Sequence, residues 1–236
     1  MSRFNKSLII LAIGVGLAGC SDSDNNSSEV IAPPTPEPIT FQFTVQVSNL
    51  TAGQPFSPIA LVAHHEDNLW QIGQTASSAL ELMAEGGDNS ELLNFTAAIA
   101  TSSADSPLVP GAQTTLTLTT ETTEALKLSL ATMLVNTNDA FTGLNAVDVS
   151  ALAVNETLTH FTFAYDAGTE ANTEASGSIP GPADGGEGFN EARDDVDYVS
   201  MHPGVVSQLD GLSDSTLHSE HKFDNPLAKV VITRTQ

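Results

Sequence analysis

Apolar and polar residues alternate along several short stretches of this chain. Phe41, Phe43, Val45 and Val47 share one side of the first stretch, and Gln42, Thr44, Gln46 and Ser48 the other, which is the period of a half-buried strand. The segment 49–55, with Gly53 and Pro55, reads as the turn that ends it. Residues 59–63 form a short apolar strand, and 114–120 alternate leucine with threonine. Leu126, Leu128 and Leu130 share a face in a strand that runs on through Met133, Leu134 and Val135. Leu158, His160, Thr162 and Ala164 against Thr159, Phe161, Phe163 and Tyr165 predict one strand with two different faces, and residues 228–233 predict the last. Between the strands, Ala79, Leu80, Met83 and Ala84 have helical spacing within 76–84, and 91–100 predicts a second short helix. Threonine-rich strands broken by dispersed Gly and Pro predict an all-β fold, an antiparallel β-sandwich with one or two short helices in its connections. Phe41, Trp70, Phe161 and Phe163 are expected in its core. No internal repeat is visible.

The N-terminus departs from this pattern. Arg3 and Lys6 precede an apolar run from Leu8 to Leu17, about ten residues and too short to cross a bilayer as a mature helix. The run ends Leu17-Ala18-Gly19-Cys20, which resembles a bacterial lipobox, so 1–19 is read as a signal peptide and Cys20 as the lipidation site. Cys20 is the one cysteine in the chain, so no intrachain disulfide can form. Acyl chains hold a protein at a bilayer through about 0.8 kcal/mol per buried methylene. Ser21 after the cysteine favours the bacterial outer membrane by analogy with lipoprotein sorting. Residues 20–39 form a tether, polar at first and then proline-rich at Pro33, Pro34, Pro36 and Pro38. The folded domain is expected over 40–236.

Charge narrows the partners. The chain has 7 basic and 29 acidic residues, a net charge of −22. Once Arg3 and Lys6 leave with the signal, 5 basic residues face 29 acidic ones, a net −24. Such a surface repels nucleic acid and anionic headgroups and attracts cations. Solubility in salty surroundings and calcium loading both account for it.

The strand at 158–165 ends in Tyr165-Asp166-Ala167-Gly168-Thr169-Glu170-Ala171-Asn172. Gly168 lets the loop turn back, so that oxygens of Asp166, Glu170 and Asn172 approach one point. A hard cation such as calcium takes about six to eight oxygen ligands, and clustered loop acids supply them. This tract resembles the strand and loop of the spondin N-terminal domain, the family of F-spondin and mindin, whose motif runs Trp-Asp-Ala-Gly-Thr-Asp. Three other segments resemble that family in the same order. They are Asn68-Leu69-Trp70 with Gly73, Ser77, Ala79, Leu80, Met83, Ala84, Glu85 and Gly87; Leu128 to Met133 with Asn138, Asp139, Gly143 and Leu144; and Ala228 to Arg234. The similarity covers roughly 40–236. The family's cysteines are absent, Tyr165 replaces its Trp, Glu170 its shorter Asp, and 175–222 has no clear animal counterpart, as in a bacterial, cysteine-free branch. The resemblance implies a β-sandwich and a Ca2+ site with Asp139, Asp166 and Glu170 as ligands, and Asn138 and Asn172 as weaker candidates.

Other clusters carry less. Residues 181–197 hold Asp184, Glu187, Glu191, Asp194, Asp195 and Asp197 among glycines, without the spacing of an EF-hand, and read as a mobile acidic loop or a second, weak calcium site. His64 with His65, and His218 with His221, lack an obvious third zinc ligand, and His202 before Pro203 reads as a turn residue. No Gly-x-Ser-x-Gly elbow, His-Glu-x-x-His, phosphate loop or Rossmann glycine pattern occurs, so the chain is not read as an enzyme. The chain is expected to be a monomeric envelope lipoprotein that touches the membrane only through its anchor. Its calcium-braced domain would bind an extracellular partner, a matrix glycan or a surface protein. An envelope hydrolase and an acidic spacer without a ligand are the alternatives.

Overall fold

A computed structural model describes residues 38–65 and 68–236. The expected signal peptide, Cys20 and the tether as far as Glu37 lie outside the described residues. In chain order the strands are β1 (Phe41–Asn49), β2 (Ala60–His64), β3 (Ala98–Ser103), β4 (Gln113–Thr120), β5 (Lys127–Met133), β6 (Ala140–Asp148), β7 (Thr157–Phe161), β8 (Phe163–Asp166), β9 (Ser200–Met201) and β10 (Ala228–Arg234). Two helices, α1 (Ser78–Gly86) and α2 (Ser90–Leu93), lie between β2 and β3. The strands form two antiparallel sheets, four-stranded in the order β4-β1-β10-β7 and six-stranded in the order β3-β2-β5-β6-β8-β9. The expected all-β sandwich is the observed fold.

The alternation of β1 turns Phe43, Val45 and Val47 inward, where they meet Leu116 and Leu118 of β4 and Val230 and Ile232 of β10. From the facing sheet come Leu61, Leu128, Leu130 and Ala164. A buried Leu or Phe stabilises by roughly 1.5–3 kcal/mol, so this double layer is the main source of stability. Strand β5 is buried on both faces. Leu128 and Leu130 join the sandwich core, whereas Ala131 and Met133 join a second apolar cluster with Phe141, Trp70 and the Leu80 and Met83 side of α1. Two-sided burial explains why that segment reads as an unbroken apolar run. Helix α1 begins where the Ser77 hydroxyl accepts the Leu80 N–H and ends at Gly87, whose φ of 69° suits glycine.

The chain departs from the expected elements in three places. The second helix stops at Leu93, and Ala98–Ser103 is instead the edge strand β3 on β2, because its alternate residues face inward. The predicted strand over 158–165 is two strands in two sheets. At Thr162 the chain leaves β10 and joins β6, and the junction is buried. The Thr162 amide donates to the Ala228 carbonyl at 3.0 Å, its carbonyl accepts the Leu227 N–H at 3.0 Å, and its hydroxyl lies 2.7 Å from that of Thr142. Finally, Phe161 and Phe163 are not core residues. They flank the crossing on the outward side, 51% and 48% exposed, while Leu158 and Ala164 turn in. Trp70 is buried as expected, and Phe41 packs partly on the core with the Arg234 guanidinium 4.9 Å from its ring centre.

Truncating Phe43 to Ala should therefore cost about 3–5 kcal/mol, as for a fully buried Phe. Phe161→Ala should cost about 1 kcal/mol or less, in the range of surface substitutions. Urea unfolding of both variants measures the contrast.

Candidate functional site

The crossing at Thr162 builds the site. It places β8 beside β6 with Asp166 opposite Ala140, so Asp166 ends one strand next to Asp139, the residue just before its neighbour begins. Between β5 and β6 the turn Asn136-Thr137-Asn138-Asp139 is wholly buried, although every residue in it is polar. Such a turn persists only if its polar atoms are bonded. The Thr137 hydroxyl donates to the Leu134 carbonyl at 2.6 Å and accepts the Ala140 N–H at 3.1 Å. Asn136 donates to the Gly53 carbonyl at 2.9 Å, and its own N–H meets Gln54 at 3.1 Å.

Asp139 ties this turn to the loop after β8. Its Oδ2 accepts the N–H groups of Thr169 at 2.9 Å and Glu170 at 3.2 Å. Its Oδ1 is buried without a partner. Burial, then the nearby Asp166 charge, pushes its carboxyl up to about 7, and the two donated N–H groups only partly offset them. Asp166 is raised by burial as well, although Gly168 N–H reaches its Oδ1 at 2.8 Å and the Asn172 amide its Oδ2 at 2.7 Å. Asn172 in turn faces His202, with 3.1 Å between Oδ1 and Nε2. The Gly204 N–H donates to His202 Nδ1, which assigns the proton to Nε2 and orients the Asn172 amide. Burial holds His202 down at about 4, so it is neutral at pH 7. Gly168 has φ of 72°, and a Cβ there would lie 2.3 Å from the Tyr198 carbonyl oxygen, so the loop's return requires glycine.

Glu170 completes the expected trio. Its Oε1 accepts the Asn138 amide at 2.8 Å, and its Oε2 is buried without a partner. Burial first, then the charges of Glu85, Asp194 and Glu187, push it up to about 7. Asp139, Asp166, Glu170, Asn138 and Asn172 thus meet at one end of the six-stranded sheet. Their donor chemistry fits a hard cation, and Asp139 Oδ1 and Glu170 Oε2 are the oxygens with bonding capacity left. Among the described residues, no three His, Cys, Asp or Glu side chains already converge as a metal's coordination shell requires.

Two acids missing from the sequence-based set belong to this end. Glu85 of α1 is buried, accepts the Asn190 N–H at 3.0 Å with Oε2, and leaves Oε1 unpartnered. Burial raises it. Its place beside Ala84 and Met83 on the inward face of α1 was the available signal, since an acid there must meet polar partners. Glu174 is buried with φ of 54° and holds the distant 205–217 segment through Val206 N–H at 2.8 Å; burial pushes it up to about 6. No spacing in the sequence marked it.

The acidic stretch 181–197 makes specific contacts with the rest of the domain. The Arg193 guanidinium pairs with Glu81 of α1, reaches Asp197 at 2.7 Å and donates to the Ala76 carbonyl at 2.9 Å. The Ala171 N–H meets Asp194 at 2.9 Å, and Asp184 accepts the Gly177 N–H at 2.7 Å. One arginine thus anchors a run of acids by taking the charge of a buried helix glutamate. Among the described residues, the histidine pairs do not gather metal ligands. His64 is buried on the Ser129 hydroxyl at 2.8 Å whereas His65 is exposed, and His221 Nδ1 accepts the His218 N–H at 3.0 Å.

Two predictions follow from these charges. Asp139 and Glu170 bind protons more tightly folded than unfolded, so between their ordinary carboxylate values and about 7 the folded state holds the extra protons. Stability then falls as pH rises through this window. His202 and His221, both lowered, act in the opposite direction below the ordinary histidine value of about 6.5. The fall should therefore be clearest from about pH 6.5 to just above 7 in calcium-free buffer, as a melting temperature lower by about 2–4 °C per kcal/mol of lost stability. Asp139→Asn should remove the share of the fall due to Asp139 and leave that of Glu170, as thermal melts across pH test. Arg193→Met should leave Glu81 buried and unpaired at a cost of about 3 kcal/mol and speed proteolytic cleavage within 181–197. Calorimetry and a timed digest measure the two effects.

Compared with protein-family models and with curated proteins, the chain finds no match.

Proposed function

We propose that this protein is an envelope lipoprotein of the spondin type whose sandwich is a calcium-braced binding module. In this reading Cys20 carries the lipid anchor in the bacterial outer membrane and the tether holds the domain away from the bilayer. Asp139, Asp166 and Glu170 take the cation. The observation that carries the reading is the Asp139 carboxylate. It is fully buried at a strand end, its Oδ1 has no partner, and a second acid lies beside it on the adjoining strand.

A bound calcium ion would supply positive charge where these loop acids otherwise repel. The chain's own residues do the rest. Asp139 holds the β8 loop by two N–H groups, Asn172 holds Asp166, and Asn138 holds Glu170, so the carboxylates arrive oriented. A braced end can present a preorganised surface to an extracellular partner, a matrix glycan or a surface protein, with less entropy lost on binding. The depth of Asp139 supports binding over hydrolysis, because a general acid must reach within about 3 Å of its substrate.

Calorimetric titration of the protein with calcium tests this, beside Asp166→Asn. The expected result is saturable binding near one ion per chain, weakened at least about tenfold in the variant. Binding should also weaken below about pH 6, since protons compete for the raised carboxylates. Absence of heat at millimolar calcium, with a melting temperature indifferent to chelator, would remove the calcium reading and favour the acidic spacer.

A further inference from the structure

The outer face of the six-stranded sheet is only partly covered by α1. Phe141, Gly143 and Asn145 of β6 share that face, with Tyr165 opposite Phe141, Phe163 opposite Gly143, and Met201 of β9 opposite Tyr165. Trp70 packs edge-on against Phe141 and Tyr165, with ring centres 5.2 and 5.5 Å away. Tyr165 stacks on Phe141 at 5.3 Å. Beyond Trp70 the cover stops and leaves a groove of about 280 Å³ lined by Asn68, Trp70, Gln71, Ile72, Asn145 and Tyr165. Phe163 stands two residues from Tyr165 on the same face, about 7 Å along the strand. It is half exposed, as are Ile72 and Met201.

The lining is unusual for this chain. With 29 acidic residues in the sequence, none of the six lining side chains among the described residues is charged. Three are amides and two are aromatic. The Asn145 amide is spent on the wall, accepting the Leu69 N–H at 2.8 Å and donating to the Trp70 carbonyl at 2.7 Å. It fixes Trp70 and leaves the exposed Asn68 and Gln71 to face a ligand. Rigid rings with apolar faces match the C–H faces of a sugar, and amides donate to and accept from its hydroxyls. Among the described lining residues there is no counter-ion for a basic peptide or a sulfated chain. The net charge of the protein repels both an anionic polymer and a second copy of itself.

We propose that this groove is a binding site for a neutral polysaccharide, with Tyr165 and Phe163 as the platform and Asn68 and Gln71 as the hydroxyl-reading groups. The proposal rests on the reading of the domain as a binding module and names the partner's class.

The test is affinity electrophoresis of the full-length protein in a zwitterionic, sugar-free detergent with calcium present. The gels contain a soluble β-1,3-glucan, a galactomannan or an α-1,4-glucan, with dextran sulfate as the charged control. At least one neutral polymer should retard the wild type, and dextran sulfate should not. Phe163→Ser and the double variant Asn68→Ala/Gln71→Ala change exposed side chains, so the fold should survive, as melting curves verify. Each should lose at least about tenfold in affinity. Both should bind calcium as the wild type does, which separates failure of the groove from failure of the cation site. Retardation by none of the three neutral polymers, or equal retardation of wild type and variants, overturns the proposal. So does a concentration-dependent dimer abolished by Phe163→Ser, which would assign the face to a second copy.

Discussion

The passage of the chain from one sheet to the other at Thr162 is the constraint on which the site and both exposed faces depend. A strand that stayed beside β10 would leave β6 without its partner and carry Asp166 away from Asp139. The crossing is possible because Thr162 is small enough to be buried there and its polar atoms are satisfied by Ala228, Leu227 and Thr142. Phe161 and Phe163 flank the crossing and cannot both enter a core that Leu158 and Ala164 already fill. The same geometry brings two carboxylates together and turns two rings outward.

The buried polar turn at 136–139 depends on that proximity. Its residues would be costly to bury without the loop that follows β8, because Asp139 and Asn138 find their partners there in Thr169, Glu170 and Glu174. The loop is equally dependent on the turn. Burial that raises the carboxylates disfavours their charged forms, and the donated N–H groups only partly offset it. This end of the sandwich therefore holds an electrostatic tension that a proton or a cation relieves.

Much of the sandwich was legible in the sequence. Period-two alternation marked β1, β4 and β10 because one face of each is core and the other is wet. The helix α1 was legible from Ala79, Leu80, Met83 and Ala84. The split at Thr162 was not, because both halves keep the same period and a change of sheet leaves no mark in it. The strand β3 was misread since Ala98 to Ala100 continue an alanine-rich run that also suits a helix. Asp139, Asp166 and Glu170 were found as loop acids and do share one end of the fold. Glu85, noted only for the resemblance, and Glu174 were not read as site residues because burial, rather than spacing, distinguishes them from the many other acids.

The segment from Ala175 to Lys222 has only the two-residue strand β9, two short 3-10 turns (Gln208–Asp210 and Ser219–His221) and a small apolar cluster of Ile179, Val205 and Leu217. Side chains of Glu174, Glu85, Asn138 and Arg193 tie it to the sandwich. It has little apolar surface of its own to hide beyond these residues and Val199, which joins the cluster under α1. Much of its hold on the sandwich is therefore polar, and acid, salt and ions act on that hold more directly than on the apolar layers beneath.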